Sequence, residues 1–90
     1  MKCIVSGKIF DTDRADLILT CRDNQNEFQY YKTVKGNFVV VQRPAPEFEP
    51  VSYSSPVAQL VSEGNMKTIL VMYDLDKYEE IFGVEDLEIL

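Results

Sequence analysis

Histidine is absent from this sequence, and its absence excludes whole classes of catalytic and metal site. Without an imidazole the chain has no Ser-His-Asp or Cys-His arrangement and no His-bearing zinc site. Cysteine is scarce too, since Cys3 and Cys21 are the only two and form no Cys-x-x-Cys motif. We therefore expect two reduced, buried thiols rather than a redox or metal centre.

Basic residues are also in short supply. Nine Lys and Arg stand against fifteen Asp and Glu, which gives a formal net charge of −6. Direct binding to nucleic acid or to an anionic membrane surface depends on clustered Lys and Arg, so we expect neither. No apolar run approaches the roughly 20 residues of a membrane-spanning helix, and the first residues are too polar for a signal peptide. These features predict a cytoplasmic protein.

Glycine is rare and scattered, and proline is confined to one segment. The four glycines form no phosphate-cradling loop. All four prolines lie between residues 44 and 56, so we expect a stiff, extended loop over residues 43–56. The loop carries Phe48 and Tyr53. These aromatic side chains either fold back over the sheet or extend outward as anchors for a partner, as weaker candidates than the acidic residues described below.

The apolar residues that are present predict one folded domain over residues 1–90. Hydrophobic residues make up 46% of the chain, a normal fraction for a globular protein. Short apolar runs around a turn at Ser6-Gly7 predict a hairpin over residues 3–10. Two further strands are predicted over residues 28–33 and 38–42, with a turn at Lys35-Gly36-Asn37 between them. The second of these, with three valines in a row, is expected to be an inner strand.

Helices are predicted at three places. One begins at the cap residues Asp11-Thr12-Asp13, and another begins at Pro56 and ends at Gly64. The third runs over residues 75–82 after the cap Asp74, with Gly83 following it. Residues 66–73 are predicted to form a central strand, and residues 84–90 a terminal strand or an extended tail.

Together these elements predict an α+β fold with a small, mainly antiparallel sheet of four to six strands and two to three short helices. The spacing Asp11-x-Asp13-x-x-Asp16 lacks the central Gly and distal Glu of a calcium loop. Helix capping explains these carboxylates, so we expect no metal and no cofactor.

The negative charge is concentrated at one end of the chain. Residues 1–73 hold eight basic and eight acidic side chains, whereas residues 74–90 hold seven acidic side chains and Lys77 alone. This segment is either a solvated, solubilising surface or an acidic surface that docks on a basic groove. Catalysis by paired carboxylates needs a raised pKa in a cleft, and this run is expected to face solvent. The candidate partner-binding carboxylates are Asp74, Asp76, Glu79, Glu80, Glu85, Asp86 and Glu88.

Three segments together resemble small proteins of bacteriophages and integrative elements from Gram-positive and gut bacteria. The segments read Lys8-Ile9-Phe10-Asp11-Thr12-Asp13-x-Ala15-x-Leu17-Ile18, Tyr31-Lys32-Thr33-x-Lys35-Gly36-Asn37-Phe38 and Tyr78-Glu79-Glu80-Ile81-Phe82-Gly83-x-Glu85-Asp86. The glycine-rich stretch expected after the second segment is replaced here by the proline-rich loop. The resemblance implies a mobile-element accessory protein and carries no catalytic residue over.

Small acidic proteins in that setting include anti-CRISPR and other anti-defence inhibitors, which bind a host protein and block its nucleic-acid groove. The expected function is therefore non-enzymatic inhibition of a host defence complex, such as a CRISPR effector or another nuclease, inside the host bacterial cell. The alternative is a structural or assembly module that forms a homodimer through a sheet edge or the proline-rich loop. An enzyme that uses carboxylates or tyrosine is the least expected of the three.

Overall fold

The computed structural model describes residues 2–44 and 57–83 of the chain. The fold is α+β and mostly sheet, as predicted. The described strands and α-helices are β1 (Lys2–Val5), β2 (Lys8–Asp11), β3 (Asp16–Arg22), β4 (Asn26–Lys32), β5 (Phe38–Pro44), β6 (Val57–Val61), α1 (Glu63–Tyr73) and α2 (Leu75–Phe82).

The strands form a two-stranded hairpin and a four-stranded antiparallel sheet. The hairpin pairs β1 with β2 around a turn at Ser6-Gly7, as the sequence predicted. The sheet has the order β3-β4-β5-β6, so β5 is the inner strand that its three valines indicated. Gly36 turns the chain from β4 into β5 with a φ of 85°, a conformation that glycine adopts at little cost.

Both faces of the four-stranded sheet are covered, and alternation along the strands supplies a core on each side. On one face Val5 and Phe10 of the hairpin pack on Tyr31, Val39 and Val41. On the other face the two helices pack on the sheet. This helix-side core consists of Ile18, Phe38, Met66, Leu70 and Tyr78. The molecule therefore has three layers: hairpin, sheet and helix pair.

The predicted helix after Asp11 is wrong. The Asp11 carboxylate does accept a hydrogen bond from the Asp13 N–H at 3.0 Å, but it caps a single 3-10 turn, and the chain then enters β3. The pairing of β3 with β4 shifts register between Leu17 and Leu19. A bulge of this kind places Ile18 and Leu19 on the same side of the sheet, where both contact the helix-side core. The bulge interrupts the alternation typical of a strand and leaves a spacing that resembles a helix.

Helix and strand are interchanged in the predictions for residues 57–73. Residues 57–61 form β6 rather than a helix, and Val61 pairs with Phe38 at the edge of the sheet. Residues 66–73 belong to α1 rather than to a central strand. Gly64, predicted to end a helix, lies instead in the first turn of α1. The β-branched and apolar run favours a strand locally, but Met66 and Leu70, four residues apart, are both fully buried in helical spacing.

The prediction for residues 75–82 is confirmed, since α2 covers this range and ends at Gly83. Arg43 and Pro44, assigned to the proline-rich loop, belong instead to β5. The rest of that loop, with Phe48 and Tyr53, lies outside the described residues, as does the predicted terminal strand over residues 84–90. Within the described ranges, neither helix has the length and apolarity that crossing a membrane requires.

Candidate acidic docking surface

Asp74 forms the junction from which the candidate surface extends. Its backbone N–H donates to the Leu70 carbonyl at 2.8 Å and so ends α1. Its carboxylate accepts from the Lys77 N–H at 3.1 Å and so begins α2. This carboxylate is a helix cap in a half-buried position rather than a free surface charge, so its docking role stays a prediction and the surface described below does not include it.

α2 is oriented by its buried aromatic side. Tyr78 is buried, and the centre of its ring lies 5.3 Å from the centre of the Phe82 ring. The Phe82 ring centre lies 5.6 Å from the ring centre of Phe38 in β5. The Lys67 ammonium of α1 lies 5.2 Å from the centre of the Phe82 ring, a cation–π contact that joins the two helices. These contacts leave the opposite side of α2 in solvent. We call the exposed carboxylates on that side, Asp76, Glu79 and Glu80, the acidic face.

The three carboxylates of the acidic face are not equivalent. The Glu80 carboxylate lies 3.3 Å from the Lys77 ammonium. Glu80 also borders a shallow groove whose lining includes Asp16 and Lys32, so its surroundings carry both signs of charge. Asp76 and Glu79, by contrast, form no ion pair with any residue that the structure describes. These two carboxylates carry the unpaired negative charge of α2.

Charge is divided between the layers of the molecule. Residues 62–83, which contain both helices, carry five carboxylates and two lysines. The other described residues, in the hairpin and sheet, carry seven Lys and Arg and five carboxylates. The helix layer therefore has a net charge of −3, and the remaining described part has +2. Among the described residues, this separation places the excess negative charge in the layer that carries the acidic face.

The remaining predicted docking residues are not placed by the structure. Glu85, Asp86 and Glu88 follow α2 in sequence and lie outside the described ranges, as do Phe48 and Tyr53. Their roles stay predictions, and the described candidate surface consists of the acidic face alone.

An exposed apolar surface beside the acidic face is not evident from the sequence pattern. It comprises the end of α1 and the start of α2, where four large side chains are between 48% and 69% exposed. We call this set the corner patch: Val71, Met72, Tyr73 and Leu75. It was missed because residues 66–73 were interpreted as a buried strand. Recognising Met66 and Leu70 as one buried helical side would have placed Val71 and Met72 outside it.

Among the described residues, the titratable groups with a shifted pKa lie in β3, in β4 and in the turn between them, outside the acidic face. Burial raises the pKa of the Cys21 thiol, and burial raises the pKa of Tyr30, with smaller contributions from Cys21 and Tyr73. Both cysteines are free and half-buried rather than fully buried as predicted. No group of three or more metal-ligating side chains occurs among residues 2–44 and 57–83. The Asp11 carboxylate accepts from the Asp13 N–H, and its Oδ2 lies 3.8 Å from Arg14 Nε, so it caps a 3-10 turn rather than the predicted helix.

No protein-family model matches the chain, and no curated protein or solved structure matches it either.

Proposed function

We propose that this chain is a non-enzymatic binding protein of a phage or mobile element, and that its acidic face docks on the basic groove of a host defence protein. The target class is a CRISPR effector or another nuclease, whose groove normally holds nucleic acid. The observation that carries the proposal is the pair Asp76 and Glu79, exposed and unpaired on the outer side of α2 within the negative layer.

The chemistry of such a groove matches this surface. Lys and Arg side chains that bind phosphates also form charge-assisted hydrogen bonds with carboxylates. Complementary potentials steer encounter and raise the association rate, an effect that salt screens. Asp76 and Glu79 lie three residues apart on one helix, so their side chains are neighbours and reach the same partner surface. The resemblance to mobile-element proteins supports the biological setting of the proposal.

The test compares two variants that remove the same amount of charge. Asp76→Asn with Glu79→Gln neutralises the acidic face and spares the cap Asp74. Asp13→Asn with Glu63→Gln is the matched control. Asp13 is exposed in the 3-10 turn before β3, outside the acidic face, and Glu63, like Asp76, lies in the first turn of a helix. Binding to a panel of purified CRISPR effectors and other host nucleases is measured by biolayer interferometry at low and at high salt, together with inhibition of nuclease activity.

We expect the acidic-face variant to bind its target at least about tenfold more weakly, and the control variant to bind like the wild type. Higher salt should slow association of the wild type more than that of the acidic-face variant. Undiminished binding and inhibition by the acidic-face variant would contradict the proposal.

The hairpin favours a second candidate function, a homodimeric assembly module. Ile4 and Ile9 are cross-strand partners on β1 and β2, and they are 68% and 77% exposed. A second copy that covered this pair would bury apolar surface on both chains. Light scattering over a range of concentrations tests this function. A dimer that dissociates when both residues are changed to serine supports it, and a monomer at all concentrations contradicts it.

A further inference from the structure

The corner patch is an unusual surface for a helix pair. Four large apolar side chains occur within five consecutive residues, and all of them are about half exposed or more. The same helices bury Met66, Leu70 and Tyr78 completely or almost completely, so their core is formed without the corner patch. Large apolar side chains that stay exposed together at one junction of a folded chain mark a candidate site of contact with another molecule.

The charges around the corner patch indicate what kind of molecule contacts it. Leu75 and Glu79 lie four residues apart on α2 and therefore share a side of the helix. Asp76 follows Leu75 directly. The corner patch thus continues into the unpaired carboxylates of the acidic face. Lys77, the one basic residue of α2, is engaged with Glu80.

A second copy of this chain is a poor occupant for such a surface. Two copies that met at their corner patches around a two-fold axis would bring Asp76 and Glu79 of one chain close to the same residues of the other. Like charges placed opposite one another oppose association. A surface with an apolar centre and an acidic border is instead complementary to one with an apolar centre and a basic border.

We propose that the corner patch and the acidic face form one docking surface, and that its partner presents apolar side chains flanked by Lys and Arg. This inference rests on the proposed function and specifies the chemistry of the partner segment. Apolar contact at Met72 and Leu75 supplies most of the affinity, while the carboxylates supply orientation and rate.

The experiment uses two fluorescent helical peptides with the same number of lysines. One carries leucines along a single face, and the other has glutamine in place of every leucine. Binding is measured by fluorescence anisotropy for the wild-type chain and for the acidic-face variant Asp76→Asn with Glu79→Gln. A corner variant, Met72→Ser with Leu75→Ser, is compared with a control, Ile9→Ser with Val34→Ser, which removes exposed apolar side chains from the hairpin side. Circular dichroism and urea unfolding check that each variant is folded.

We expect the wild type to bind the leucine–lysine peptide at least about tenfold more tightly than the glutamine–lysine peptide. The corner variant should lose about tenfold in affinity for the first peptide, and the acidic-face variant should also weaken, while the control variant binds like the wild type. This pattern supports the inference.

Equal binding of the two peptides overturns the inference, as does loss of binding in the control variant. If the corner variant binds like the wild type while the acidic-face variant is weakened, apolar docking is wrong and the proposed acidic function stands. If neither variant differs from the wild type, the inference fails together with the acidic mechanism on which it rests. If the wild type binds neither peptide, the partner chemistry is wrong, and the nuclease experiment decides the proposed function separately.

Discussion

At the scale of single residues, Asp74 shows how one side chain is committed to structure in a segment that appears uniformly acidic. The sequence places it among seven carboxylates over residues 74–90. The structure separates it from Asp76, Glu79 and Glu80, because its carboxylate accepts the Lys77 N–H while theirs point outward. A count of charges alone would give all of these residues the same role. Their hydrogen bonds show that Asp74 caps a helix, whereas the other three carboxylates lie on the surface.

Asp74→Ala is expected to lower the free energy of unfolding by about 1 kcal/mol, because α2 loses its N-cap acceptor. Asp74→Asn keeps an acceptor oxygen and should cost much less, although it removes the same charge as the alanine change. Urea unfolding of both variants measures the difference. Equal losses for the two variants would show that the charge, rather than the cap, is what matters.

Asp23 carries a pH dependence of its own. Its carboxylate accepts from the Gln25 N–H at 2.8 Å and the Asn26 N–H at 2.6 Å, and these backbone hydrogen bonds hold the pKa of Asp23 below its ordinary value. The folded pKa therefore lies below the unfolded value of about 3.9. The stabilisation is complete above that unfolded value and is lost as pH falls through the folded pKa.

NMR titration should accordingly show the Asp23 carboxyl protonating below pH ~3.9 in the folded chain. Asp23→Asn keeps an acceptor for the turn but cannot titrate, so its unfolding free energy should fall less steeply as the solution is acidified. A folded pKa at or above the ordinary aspartate value would contradict this expectation.

At the scale of elements, the sequence identified the turns and caps better than the type of element between them. Three elements were predicted because a short local sequence determines each of them. The hairpin has the turn Ser6-Gly7, the β4–β5 connection has the turn Lys35-Gly36-Asn37, and α2 has the N-cap Asp74. β3 was predicted as a helix because its bulge lies in the pairing with β4, which no local pattern reveals. α1 was predicted as a strand because the burial of Met66 and Leu70 depends on tertiary contacts that override local propensity.

Two glycines at opposite helix ends should respond oppositely to alanine. Gly64 lies in the first turn of α1, and an added Cβ would meet nothing within 4 Å, so Gly64→Ala should raise the unfolding free energy by roughly 0.5–1 kcal/mol. Gly83 follows α2 with φ 79° and ψ −179°, a region open essentially to glycine alone. Gly83→Ala should cost about 1–3 kcal/mol. Thermal and urea unfolding measure both changes, and destabilisation by Gly64→Ala would place this glycine outside a regular helix.

At the scale of the whole molecule, aromatic contacts join three segments that are distant in sequence, residues 8–18, 31–38 and 78–83. Phe10 of the first segment packs edge-on against Tyr31 of the second at 5.6 Å, and Phe38 of the second lies 5.6 Å from Phe82 of the third. One pair lies on each side of the sheet. These four aromatic residues therefore hold the three layers together, which the sequence alone did not indicate because the layers arise only when the chain folds.

The two cores should contribute to stability independently, because the sheet separates them. Ile18 belongs to the helix-side core and Val39 to the hairpin-side core. Ile18→Val should cost about 0.5–1.5 kcal/mol, and Val39→Ala should also destabilise the chain through lost burial and the cavity left behind. The double variant should lose the sum of the two changes to within about 0.5 kcal/mol in urea unfolding. A clearly larger or smaller loss would mean that the sheet transmits strain between its faces.

The single-residue link at Asp74 also affects the thermodynamics of docking. A longer connection between α1 and α2 would leave α2 to sample many orientations, and a partner would have to restrict them at a cost in conformational entropy. Here both ends of the link are hydrogen-bonded, and α2 is packed on Phe38 and Lys67 before any partner arrives. Binding at this end of the molecule should therefore proceed as rigid-body association, in which little of the interaction energy is consumed by ordering the backbone.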